Sequence, residues 1–148
     1  MCQMLNKVSW KDAFYGAVIF LVIATVIHLV ESILTMSYYT NPEYFGLWSK
    51  LMMPSAGPPP PSFMLVSALV NFIAGFVISV LYQLVKDEMG QKYWTKVWSF
   101  AAFAWILATV LFAGTAFLLF NLPLGLLGAW LVSSAFIYFL TSLYLARK

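Results

Sequence analysis

Charge is what this sequence lacks most. Of its 148 residues only 9% are Asp, Glu, Lys or Arg, against 63% hydrophobic, and the mean hydropathy is +0.89. A soluble domain carries about 25% charged residues. Too few remain here to build a water-facing surface, so a lipid bilayer is the expected surrounding for most of the chain. Within a bilayer each backbone group must be satisfied internally, which leaves helices or a closed barrel. Barrel strands would alternate in polarity, and the long unbroken apolar runs do not.

Cysteine and histidine are nearly absent, one of each. Cys2 alone makes neither an internal disulfide nor a metal framework. One His with one intramembrane Glu is too few ligands for zinc or a di-iron centre, and bis-histidine haem would need two copies of the chain. Met36, Met52, Met53 and Met64 offer thioethers that suit Cu(I), but methionine near an interface reads as apolar filler. No cofactor is expected. The HExxH, GxSxG, CxxC, Walker and dinucleotide patterns are missing too, so no enzyme class is indicated. The net charge of +3 comes from scattered lysines rather than a basic face, which argues against nucleic acid.

What is present is a set of four apolar runs: Ala13–Met36, Phe63–Val85, Val97–Phe120 and Leu124–Ala146, each 23 or 24 residues long. At about 1.5 Å per residue each crosses a hydrocarbon core of about 30 Å with some tilt. The first run exceeds a signal-peptide core of about 7–15 residues and no small-residue cleavage motif follows it, so it is expected to stay attached as a span. The predicted fold is all-α: one membrane domain over residues 1–148, an antiparallel four-helix transmembrane bundle.

The loops predict its orientation. Lys7, Lys11, Lys86, Lys92, Lys96, Arg147 and Lys148 fall on one side and only Lys50 on the other, which places both termini in the cytoplasm and the protein in a plasma (inner) membrane. Trp10, Trp94 and Trp98 then lie near the cytoplasmic interface, and Tyr38, Tyr39, Tyr44 and Trp48 near the outer one, where amphipathic rings are favoured.

The external loop 37–62 is the one sizeable piece outside the spans. Asn41-Pro42-Glu43 predicts a helix start running to about Met53 along the interface. Gly57 and Pro58–Pro61 form a stiff polyproline strap leading to Ser62 as cap of the second span. Small-residue faces at Ala104 and Ala108, and at Ala129 and Ser133, suggest homo-oligomerisation. The loop itself is a candidate contact for a membrane partner protein.

One polar face interrupts the apolar pattern. At 100° per residue His28, Glu31, Ser32, Thr35 and Tyr39 share a helical face about 100° wide. An ionisable group at membrane depth is by default a functional-site hypothesis. Counting from the span ends puts His28 and Asn71 about 12 Å below the outer interface, with Glu31 and Ser67 a turn shallower. The second span's stripe Ser67, Asn71, Ala74, Ile78, Tyr82 is expected to pack against that face. Ser, Thr and Asn in membrane helices commonly serve as structural hydrogen-bonding groups. A buried carboxylate costs about 2.5–3.5 kcal/mol on insertion scales, so Glu31 asks for more. The leading expectation is a small transporter, channel-like or solute- or proton-binding protein using Glu31, His28 and Asn71. The alternatives are an accessory subunit of a larger membrane complex and a membrane enzyme acting on a lipid or quinone.

Overall fold

A computed structural model describes residues 8–55 and 58–148; Cys2, Lys7 and Gly57, to which expectations attach, lie outside the described residues. The elements are α1 (Trp10–Leu34), α2 (Met36–Thr40), a 3-10 helix (Pro42–Leu47), α3 (Pro61–Val85), α4 (Tyr93–Trp105), a π turn (Ile106–Val110), α5 (Leu111–Leu119) and α6 (Leu124–Leu145). No strand occurs among the described residues. Four helical stretches are long and apolar enough to cross a membrane: α1, α3, the continuous run Tyr93–Leu119, and α6.

Helix ends follow capping chemistry rather than hydropathy. α1 begins three residues before the apolar run because the Ser9 hydroxyl accepts the Asp12 N–H at 3.3 Å. An N-cap of this kind satisfies one of the orphan donors of the first turn. Ser62 does not cap the second span. That helix starts at Pro61 with no side-chain cap, since proline at the first helical position has no N–H to satisfy. The loop helix is also shorter than expected. Asn41 caps it as predicted, accepting the Glu43 N–H at 3.1 Å, but the helix is 3-10 and ends at Leu47. Gly46 weakens it, and Trp48 turns extended to place its ring 4.9 Å from that of Tyr39.

The third apolar run is not one regular helix. The Leu111 N–H reaches back to the Ile106 carbonyl, an i to i+5 bond that widens the helix by a residue. The Trp105 indole N–H, just before this turn, donates to the Leu131 carbonyl of α6 at 3.0 Å.

α1 packs against both α3 and α6, and α6 also packs against α4. The α1–α3 seam is built on small residues: Gly75 lies against Ala17 and Phe20, and Gly16 against Ser79. Small residues let helix backbones approach closely in an apolar surrounding. The stripe predicted to face α1 meets it only in part, through Ala74. Ile78 and Tyr82 pack with Phe100, Ala104 and Leu145, and Ala74 against the Phe20, Ala24 and Ile137 cluster. The neighbouring stripe, Phe72, Gly75, Phe76, Ser79 and Gln83, makes the closest contacts with α1. The reason is size, because only the Gly75–Ser79 face admits close backbone approach.

Candidate proton or cation site at the loop end of α1

Glu31 is 8% exposed, one turn from the end of α1. Thr35, also buried, follows four residues later, so its hydroxyl sits over the preceding turn. It donates to the Glu31 backbone carbonyl (2.7 Å) and carboxylate Oε1 (2.8 Å). α1 stops there: Thr35 leaves helical geometry at φ −106°, ψ 14°, and α2 restarts at Met36.

Above this pair the loop supplies aromatics. Trp130 of α6 donates its indole N–H to the Tyr39 hydroxyl at 3.3 Å, and Trp48 covers the Tyr39 ring. Burial holds the Tyr39 phenol above its ordinary ionisation range, while the Trp130 hydrogen bond offsets part of that. Both Thr35 and Glu31 act on that phenol. The indole N–H of Trp48 is buried without a hydrogen-bond partner among the described residues. Tyr38 lays its hydroxyl over Gly125 at the start of α6, where a Cβ would collide with it.

The predicted face does not act as one unit. His28 is exposed and makes no side-chain hydrogen bond among the described residues. It lies 18 residues from Trp10, five full turns at 100° per residue, so it points the same way as Trp10, which stacks on Phe76 of α3. Glu31 instead turns toward α6. Ser32 donates to the Leu29 carbonyl of its own helix at 2.9 Å. Asn71 and Ser67 are half-buried, and neither bonds to Glu31 or His28. Thr35 and Tyr39 are the members gathered around Glu31.

Between α1 and α6 runs a cavity of about 380 Å³ with Glu31 on its wall. Ile27, Val30 and Leu34 line one side and Ala129, Val132 and Phe136 the other; Thr35 and Ser133 complete the lining. No described basic residue pairs with the carboxylate; the ion pair among the described residues is Lys148–Asp12 at 3.6 Å on the surface. The described residues contain no cluster of three metal-ligating side chains.

No protein-family model, curated protein or solved structure matches the chain. The site therefore rests on its own geometry.

Counted by depth, Ser133 and Ser134 fall level with His28, but sequence reasoning paired Glu31 with the second span and did not find Trp130 of α6. Ala129 and Ser133 read as a face for self-association, yet Ser133 is buried and both line the Glu31 cavity. Ala104, from the other small-residue face, is likewise buried within the chain. The Trp130 indole four residues before Ser134 was the available signal. Its N–H needs a partner when buried, and Tyr39 supplies one.

Proposed function

We propose that the chain is a multi-pass membrane protein of transporter or solute-binding type, in which Glu31 binds and releases a proton or cation. In this reading the four spans form an antiparallel bundle in a plasma membrane. Both termini and the loop 86–92 lie in the cytoplasm, and the Glu31 cavity lies in the outer half. Support for the membrane setting comes from the surface: only 17–28% of each apolar span is buried within the chain. Contiguous apolar surface on that scale calls for lipid or a partner. Support for the orientation comes from seven basic residues against one across the loops.

The observation that carries the proposal is a buried carboxyl group that forms no ion pair among the described residues. Burying an unpaired carboxylate is costly, and truncating or omitting its partner leaves that cost uncompensated. A bound proton or cation removes it. A knot needed only for packing is made at lower cost with Asn or Ser, whereas a group that alternates between charged and neutral states suits coupled transport.

The test is pH-difference infrared spectroscopy on protein reconstituted in lipid. The expected result is a carboxylic-acid C=O band that comes and goes with pH in the wild type and is absent from Glu31→Gln. Gln keeps the volume and can still accept the Thr35 hydroxyl. An identical difference spectrum in wild type and Glu31→Gln refutes a titrating Glu31.

A further inference from the structure

We infer that the occupant of the Glu31 cavity is a lipophilic organic cation, a positive centre wrapped in apolar groups, that enters sideways from the bilayer between α1 and α6. This rests on the reading of Glu31 as an ion-exchanging carboxyl and adds the class of substrate.

The oxygen inventory argues against inorganic ions. Hard cations take six or more oxygen ligands. Here the side-chain oxygens are the Glu31 carboxylate, Thr35 Oγ1 and Ser133 Oγ. With two oxygens on the carboxylate and one on each hydroxyl, the lining side chains supply four, fewer than the six or more that a hard cation takes. The one charged group in the lining is the Glu31 carboxylate, which matches a single positive charge that brings its own apolar shell. The volume, about 380 Å³, lies within the roughly 300–1,000 Å³ of small-molecule sites. A single inorganic ion would leave most of it empty.

The walls argue for an apolar body. Beyond those three polar side chains the lining is Ile, Val, Leu, Ala and Phe. The flanking Leu34, Val132 and Phe136 are each more than half exposed on the chain's own surface, so the cavity opens to the side, where the spans are apolar. At the loop end, Tyr39 and Trp48 pack ring against ring beyond Thr35. A solute that partitions into lipid reaches Glu31 through the open side, and opposite charge holds it there. Charge complementarity and an apolar lateral mouth together select this class.

The experiment measures binding of tetraphenylphosphonium to the purified full chain in a neutral detergent, with tetraphenylborate as the anion of the same shape. Tetraphenylphosphonium is expected to bind, with at least a tenfold preference over the borate, and to be displaced only weakly by sodium, potassium or magnesium salts. Glu31→Gln, verified as folded by its helical circular dichroism, is expected to lose at least tenfold in affinity. Val132→Trp, which fills the cavity, is expected to do the same, while Ala108→Trp, in a separate apolar cavity, leaves binding unchanged. Equal binding of the two organic ions, or unchanged binding in Glu31→Gln, overturns the inference. Displacement by phosphatidylethanolamine at matched concentration overturns it in favour of a lipid headgroup. If tetraphenylphosphonium does not bind while the infrared band of Glu31 titrates, the substrate class is wrong and the proton-binding reading stands. If neither signal is seen, both fall.

Discussion

Gly75→Ala tests the seam on which the Glu31 helix is aligned. A Cβ at Gly75 would lie 2.6 Å from Phe20 Cβ, 2.9 Å from Phe20 Cγ and 3.0 Å from Ala17 Cα. Carbon atoms rest at about 3.5–4.0 Å, so the helices must part by about 1 Å. Neither neighbour can step aside easily. Ala17 Cα is backbone, and Phe20 is 4% exposed, packed against Ala24, Ile137 and Tyr138. Overpacking of this kind costs about 1–3 kcal/mol. Against it stands the helix propensity of Ala over Gly, about 1 kcal/mol. Gly128→Ala on α6 separates the two terms, because its Cβ would meet nothing within 4 Å. Both substitutions gain the same propensity, so their difference isolates the contact. Gly75→Ala is expected to be less stable than Gly128→Ala by about 1–3 kcal/mol. The measurement is reversible unfolding in mixed micelles with increasing dodecyl sulfate, followed by far-ultraviolet circular dichroism. Equal stability of the two variants, or greater damage from Gly128→Ala, would refute the close α1–α3 approach.

Two further outcomes follow from other buried polar groups. The Thr141 hydroxyl, in a residue 1% exposed, has no hydrogen-bond partner among the described residues; Thr141→Val removes an uncompensated polar group and is expected to stabilise by about 1 kcal/mol, read in the same unfolding assay. Tyr39 gives a pH signature. Its phenol ionises above the ordinary value of 10.0 in the folded chain because it is buried, so the unfolded chain releases the proton first. The neutral phenol therefore favours folding below about pH 10, and that contribution fades as pH rises through the folded value. Tyr39→Phe is expected to lose about 0.5–1.5 kcal/mol from the Trp130 hydrogen bond at neutral pH and to flatten the alkaline decline. A parallel decline in wild type and variant sinks the assignment.

The long helices were legible because an apolar run of 23 or 24 residues has few structural outcomes. Local capping was legible at Asn41, where Asx, proline and an acid stand in order, and misleading at Ser62, where proline itself begins the helix. The π turn at Ile106–Val110 left no trace in hydropathy, because residues inside and outside it are equally apolar. Partner choice was harder still. Residue depth can be counted along one helix, but the direction a residue faces depends on which neighbours admit close approach. Asn71 and Ser67 share a depth range with His28 and Glu31, yet the Gly75–Ser79 face takes the closest α1 contact, and of the Asn71 stripe Ala74 packs on Phe20 and Ala24 while Ile78 and Tyr82 turn to Phe100 and Leu145. Thr35 and Tyr39 were found because they are local to Glu31 on the same helix face.

The same size argument explains why the Glu31 cavity exists and why its acid matters. α1 and α6 come together at Phe20, Ala24 and Ile137, while at the loop end Ala129 and Ser133 leave space that Glu31 does not fill. A second cavity of about 300 Å³ lies beside α4, lined by Ala74, Val77, Phe103, Leu107, Ala108 and Tyr138 among others. It forms because α3 and α4 meet through large rings, Tyr82 and Phe100 at 5.0 Å between centroids, which hold the helices apart. The two cavities are alike in size and apolar character, and only one has a carboxylate on its wall. Space between helices in this chain is thus a product of side-chain size alone. Among the side chains that line the two, the charged one is Glu31, so under the proposed function a cationic solute is expected to prefer its cavity.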